Sequence, residues 1–223
     1  MTLNIVVAHK PEAQGIINRL SLGRDPNYPD HAVYAGENVK LGICGTGYQR
    51  CRAMTLILKS GLSSSTDGQF DFWLNYGTAG SSAFKVGELI IANLVNYPSM
   101  SRQWKLDYFS EDVSFSALSQ AGVCTVDSVE EMYEGNKVYE MEAAGMLSVL
   151  KEGECLQRAV VLKLVSDGPE VSVKDQTRKK MIELLDQCET KVQFVVDGLL
   201  NQAIETISES ALSESALSRN EIY

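Results

Sequence analysis

The sequence is short of histidine, short of positive charge and without a long apolar run, and each shortage removes a class of function. His9 and His31 are its two histidines, so no HExxH zinc site exists. The five cysteines, Cys44, Cys51, Cys124, Cys155 and Cys188, are an odd number with no CxxC pair. That spacing fits neither a zinc ribbon nor a disulfide framework, and the thiols read as small buried hydrophobes of a reducing compartment. Basic residues number 20 against 29 acidic ones, a net charge of -9. The clustered positive charge that neutralises a phosphate backbone is missing, which argues against a nucleic-acid partner. No stretch approaches the roughly 20 apolar residues that span a bilayer, which argues against a membrane partner. The first segment, MTLNIVVAHK, lacks the cationic start and cleavage site of a signal peptide. The expected location is the cytoplasm.

What is present is an alternation of strands and helices. Leu3 to Ala8 is a β-branched run, and Pro11 suits the first turn of a helix carrying Ala13, Ile16, Ile17 and Leu20. After a turn-rich stretch, SLGRDPNYPDH, the segments HAVYAG and NVKLGIC read as two strands joined around Gly36-Glu37-Asn38. Gly45-Thr46-Gly47 introduces a helix to about Lys59. A polar loop, SSSTDGQ, precedes a buried strand, FDFWLN, that ends at Gly77. ELIIANLV is a strand apolar enough to be covered on both faces. The span 98–121 has no clear period. GVCTVDSV and RAVVLKLVSD read as strands, VYEMEAAGMLSVLK as a strand end followed by a helix, and a last helix runs from about Asp175 to Ile204. This order predicts an α/β fold with a mainly parallel central sheet. Residues 1–204 form its single domain; 205–223 is a Ser/Glu-rich tail in which SESAL occurs twice.

Four strand-to-loop junctions carry candidate chemistry: VVAHKPEA with Glu12, the Gly-rich turn NYGTAGSS, the segment YEMEAAG, and KLVSDGPE with Ser166 and Asp167. In an open α/β sheet, ligands bind beyond the carboxyl ends of the strands, where these four would converge. Taken singly, each has a plainer reading. Glu12 reads equally as a solvated first-turn acid, the Gly-rich turn as an ordinary turn, and Ser166-Asp167 as a helix cap. Glu140 and Glu142, separated only by Met141, would share a face of a strand or serve as acidic residues at a helix start.

Together, and in this order, NYGTAG, YEMEAAG and LVSDG resemble the signatures of the nucleoside phosphorylase superfamily. The nearest branch is the methylthioadenosine/S-adenosylhomocysteine nucleosidases, and the resemblance spans Glu12 to about Leu200. It implies a three-layer α/β/α sandwich around a mixed, distorted central sheet, no metal or organic cofactor, a small-molecule nucleoside ligand and a homo-oligomer, with a dimer favoured. It implies an N-ribosyl hydrolase of a purine nucleoside or 5′-substituted adenosine. Asp167 would protonate the leaving base, Ser166 would orient it, and Glu12 would activate water. Glu142 would accept the ribose hydroxyls, Met141 would floor the sugar, and Glu140 would stand beside it. Asn75, Ala79, Gly80, Ser81 and Lys163 would lie along the substrate. Lys163 stands where the nucleosidases carry an arginine, and Val129 where they carry a phenylalanine, with Tyr133 the nearest aromatic. The superfamily's phosphorylases carry an arginine near Asn75-Tyr76, and its absence favours water over phosphate as nucleophile. A phosphorylase is the alternative. A catalytically weak nucleoside-binding or storage protein is a third reading, against which the presence of all three acids argues.

Overall fold

The computed structural model describes residues 2–60, 71–106, 115, 118–152 and 156–220, and their side chains, residue 152 apart, as far as residue 204. Leu3–Val7 forms β1, with all five residues buried. Leu3, Ile5 and Val7 join one apolar cluster and Val6 joins another, the alternation of a strand covered on both faces. The first cluster takes Ala13, Ile16 and Ile17 from α1 (Lys10–Arg19). It also takes Leu185, Cys188, Val192, Val195 and Leu199, at helical spacing, from α4 (Arg178–Asn220). The second takes Cys51, Met54 and Leu58 from α2 (Tyr48–Ser60) and Met146, Leu147 and Leu150 from α3 (Ala143–Glu152). Each fully buried side chain of this kind contributes about 1.5–3 kcal/mol. Gly145 lets α3 lie close against α2: a Cβ there would stand 2.4 Å from the Tyr48 carbonyl oxygen and 2.9 Å from the Arg52 nitrogen.

The remaining strands are β2 (Gly23–Arg24), β3 (Val33–Gly36), β4 (Val39–Ile43), β5 (Phe72–Gly80), β6 (Leu89–Tyr97), β7 (Arg102–Lys105), β8 (Ser119–Thr125), β9 (Lys137–Glu140) and β10 (Ala159–Asp167). The order β2-β3-β4-β1-β5 forms one wing. Beyond it, β5 pairs with β10 along most of its length and meets β9 through Gly80 and Tyr139. Because β10-β6-β8-β9 are joined in turn, the sheet closes into a ring at that end. Among the described residues the sheet is mixed rather than mainly parallel, with five pairings of each sense. Short connections explain the antiparallel pairing of consecutive strands, β2–β3, β3–β4 and β6–β7, while β5–β9 and β6–β10 join strands far apart in sequence. Only Glu37 and Asn38 separate β3 from β4, whereas a parallel crossover needs about a dozen residues.

Other expectations shift in detail. The chain does not turn at Gly77, because β5 continues through Thr78 and Ala79 to Gly80 in register with β10. The short strands β2 and β7 fall in segments with no readable period. The last helix continues past residue 204 as far as Asn220. The loop SSSTDGQ and Cys155 lie outside the described residues. Among the described residues, no helix is long and apolar enough to cross a membrane.

Candidate active site

Four segments end at one cleft of about 150 Å³: the close of β1, the end of β5, the β9–α3 junction and the end of β10. Glu12, Ala79, Gly80, Glu140, Met141, Glu142, Ser166 and Asp167 all line it. Asn75, Ser81 and Lys163 do not. Asn75 is fully buried and donates from Nδ2 to the Val6 carbonyl at 3.2 Å, tying β5 to β1. The Ser81 hydroxyl donates to the Lys137 carbonyl at 2.8 Å and so serves the loop after β5.

Glu12 is not a solvated first-turn acid; it is 6% exposed. His9, in extended conformation, caps α1, and its N–H donates to Glu12 Oε2 at 2.8 Å. The Thr78 N–H donates to Oε1 at 3.1 Å from the end of β5. The carboxylate is therefore held from two elements, with lone pairs left on both oxygens.

Glu140 and Glu142 divide into two roles. Glu140 Oε2 accepts the N–H groups of Glu142 (2.9 Å) and Ala143 (2.8 Å), capping the start of α3. Its Oε1 accepts the Thr125 hydroxyl. Lys163 Nζ lies 2.7 Å from Oε2 at an angle outside hydrogen-bond geometry, an ion pair with both side chains buried. Lys163 and Glu140 thus form a buried support beneath the β9–α3 junction. Burial opposes the Lys163 charge, but Glu140, Glu142 and Glu12 outweigh it and hold its pKa above the ordinary value.

Glu142 accepts the Gly47 N–H at 2.8 Å on Oε1, and its other oxygen takes no hydrogen bond among the described residues. Burial, followed by the negative charge of Glu140, pushes its pKa up to about 7, against a smaller lowering by Lys163. A carboxylate in that condition gains from a ligand that brings hydroxyl donors.

Asp167 ends β10 at an irregularity. Val165 pairs with Ala79 and Asp167 with Gly80, leaving Ser166 as an extra residue. The bulge breaks strand alternation, so adjacent residues both line the cleft. The Ser166 hydroxyl donates to Asp167 Oδ1 at 2.5 Å. Gln176 Nε2 donates to the Ser166 carbonyl and holds the bulge. The Tyr133 hydroxyl donates to Asp167 Oδ2. Burial and that bond push the phenol pKa up, so it remains a donor.

Thr78, Gly47 and the Tyr133–Asp167 bond were not identified from sequence. Thr78 lies inside the quoted Gly-rich segment, and Gly47 at the start of a predicted helix, so both had a positional signal. Nothing local indicates that Tyr133 reaches across 34 residues of chain to Asp167. Among the described residues, no arginine lines this cleft. The Arg50 guanidinium lies over Gly45. An adjoining cavity of about 360 Å³ shares His9, Glu12, Thr78 and Met181 with the cleft and adds Lys10, Pro11 and Arg178.

No protein-family model matches the chain. No curated protein sequence matches it either. Solved structures do. A 5′-methylthioadenosine/S-adenosylhomocysteine nucleosidase from Helicobacter pylori, with butyl-thio-DADMe-Immucillin-A, superposes with a TM-score of 0.69 at 15% identity, covering 91% of this chain and 98% of that one. The Neisseria meningitidis nucleosidase, in complex with methylthio-immucillin-A, gives 0.68 at 16% identity over 88% and 99% of the two chains. The nucleosidase from S. pneumoniae, with the inhibitor MT-ImmA, gives 0.70 at 18% identity over 89% and 98%. The resemblance read from three short motifs extends to the course of nearly the whole backbone, and the chain has the fold of the methylthioadenosine/S-adenosylhomocysteine nucleosidases.

Proposed function

We propose that the protein is an N-ribosyl hydrolase that cleaves the glycosidic bond of a purine nucleoside or a 5′-substituted adenosine. The observation that carries the reading is the meeting of three buried acids, Glu12, Glu142 and Asp167, in one cleft. Breaking an N-ribosidic bond develops positive charge on the sugar and negative charge on the departing base. Asp167, oriented by Ser166, protonates the base, a contribution of about 10²–10⁴ in rate. Glu142 accepts the ribose hydroxyls through its unpaired oxygen, with Met141 against the sugar. Glu12, held by His9 and Thr78, takes the proton of the attacking water. Ala79 and Gly80 form the β5 wall, and Glu140 with Lys163 holds the junction that carries Glu142.

The reading includes a domain of residues 1–204 built as a three-layer α/β/α sandwich about a distorted sheet, acting as a cytoplasmic homodimer. The test is base release from methylthioadenosine, adenosylhomocysteine, adenosine, inosine and uridine, with and without inorganic phosphate. Free ribose or methylthioribose in phosphate-free buffer is the expected product. Lys10 and Arg178 beside Glu12 favour the second reading, a phosphorylase, because forked and point cations suit a phosphate dianion. Strict phosphate dependence with a sugar 1-phosphate product would select it. No release in either buffer would favour a binding or storage protein.

A further inference from the structure

Tyr133 occupies the acid that a leaving base needs. Its hydroxyl holds Asp167 Oδ2 while Ser166 holds Oδ1, so each carboxylate oxygen already has a donor. The phenol tip is pressed against the β5 backbone: a Cβ on Gly80 would stand 2.4 Å from the Tyr133 hydroxyl and 2.6 Å from Asp167 Oδ2. With the ring there, the cleft measures about 150 Å³, beside the adjoining cavity of about 360 Å³. At Asp167 the phenol takes the place on Oδ2 that a base would need.

The segment that carries Tyr133 is anchored at its start, where Asp127 accepts the Tyr97 and Ser99 hydroxyls, and lightly beyond it. Residues 127–136, between β8 and β9, are exposed apart from partly buried Glu130 and Tyr133. The Ser82 hydroxyl donates to the Tyr133 carbonyl at 3.1 Å, Tyr139 bonds the Glu134 backbone, and Glu131 pairs with exposed Lys174 at 2.8 Å. Tyr139 also gives Tyr133 a tilted ring contact at 5.6 Å. A segment with few buried apolar contacts opens at small cost in free energy.

We propose that Tyr133 is a built-in competitor for the base: in the empty site its hydroxyl occupies Asp167, and a substrate must displace it before Asp167 can act. The inference rests on the nucleosidase reading. Because the phenol leaves before the bond to the base breaks, it weakens ground-state and transition-state binding alike and acts on KM and not on kcat.

The test compares wild type with Tyr133→Phe, measuring KM and kcat for whichever nucleoside the wild type cleaves and the Kd of free adenine by calorimetry. The expected result is KM and Kd each lower by about tenfold, the order expected for a lost bond to a carboxylate, with kcat within about twofold. Tyr133→Ala, which also removes the ring, should show the same direction. Unchanged KM and Kd in both variants would overturn the proposal. So would a fall in kcat at constant KM, which would keep Tyr133 on Asp167 during the reaction. If the wild type cleaves no nucleoside yet adenine binds Tyr133→Phe more tightly, the competitor stands and the nucleosidase reading fails. If neither protein binds adenine and neither is active, both fail.

Discussion

Glu140 and Glu142 stand two residues apart and carry their carboxylates into different surroundings. Both oxygens of Glu140 are engaged by Thr125, the start of α3 and Lys163, while Glu142 keeps one oxygen without a hydrogen bond among the described residues and a pKa near 7. The first builds the corner, and the second presents a carboxylate at it.

Glu142 makes the empty protein sensitive to pH. Its folded pKa of about 7 lies above the 4.5 of an ordinary glutamate. The protein therefore holds an extra proton between those values, and the stability from this group is present below about pH 4.5 and lost as pH rises through about 7. Glu142→Gln should raise Tm by a few degrees at pH 8 and by less at pH 6. Thermal melts of the unliganded proteins at both values are the check, and an equal shift at both would remove the titration of Glu142 as the cause. The same change should impair recognition of ribonucleosides.

Lys163 is expected to matter for stability through Glu140. Lys163→Met leaves the Glu140 carboxylate buried without its cation and should cost about 3–5 kcal/mol in urea unfolding. Pairing it with Glu140→Gln should cost less than the two single changes summed, by about 0.5–3 kcal/mol. Strict additivity would mean that the 2.7 Å contact couples nothing.

Asp167→Asn keeps the shape of the side chain and removes its transferable proton. Base release should fall by about 10²–10⁴ while the far-ultraviolet dichroism and Tm stay near those of the wild type. Wild-type turnover by that variant would remove the acid role.

Gly80→Ala tests the closeness of β5 to the acid. The added methyl would stand 2.6 Å from Asp167 Oδ2 and 2.4 Å from the Tyr133 hydroxyl, so both side chains must shift. A displacement of about 1 Å at a reacting group costs on the order of 10²-fold, so kcat should fall steeply in steady-state assays. Tm should change little, since the mobile ends of two side chains give way rather than the backbone.

The positions of the acids were legible because each sits in a short motif beside a strand with a clear apolar pattern. Glu12, Glu142 and Asp167 stand beside strand ends, where ligands gather, but it was the resemblance of the ordered motifs to a family that singled them out. The split between Glu140 and Glu142 was not legible, since it depends on Lys163, 23 residues further on, reaching back under the junction. The glycines of NYGTAG read as a turn, yet they belong to β5 because β10 pairs with them, and pairing is decided by tertiary contact. The element pattern alone gave a mainly parallel sheet beyond the β3–β4 hairpin, because periodicity reports the faces of a strand and not its direction; the mixed sheet was implied only by the family resemblance. Tyr133 was visible as an aromatic in a loop, but its reach to Asp167 belongs to the folded chain.

The bulge at Ser166 sets a reading frame for side chains. Upstream in β10, Leu162 and Leu164 join the cluster under α1 and α4, and Val161 and Val165 the one under α2 and α3. One extra residue resets that alternation just before the acid. Deleting Ser166, the one residue between Val165 and Asp167, would restore regular pairing with Asp167 still opposite Gly80, and would remove the extra cleft-lining position and the hydroxyl that holds Oδ1. The strand would still form, and its core face would be intact. A change of one residue in length at this point therefore alters the lining of the cleft while the core face of the strand is kept.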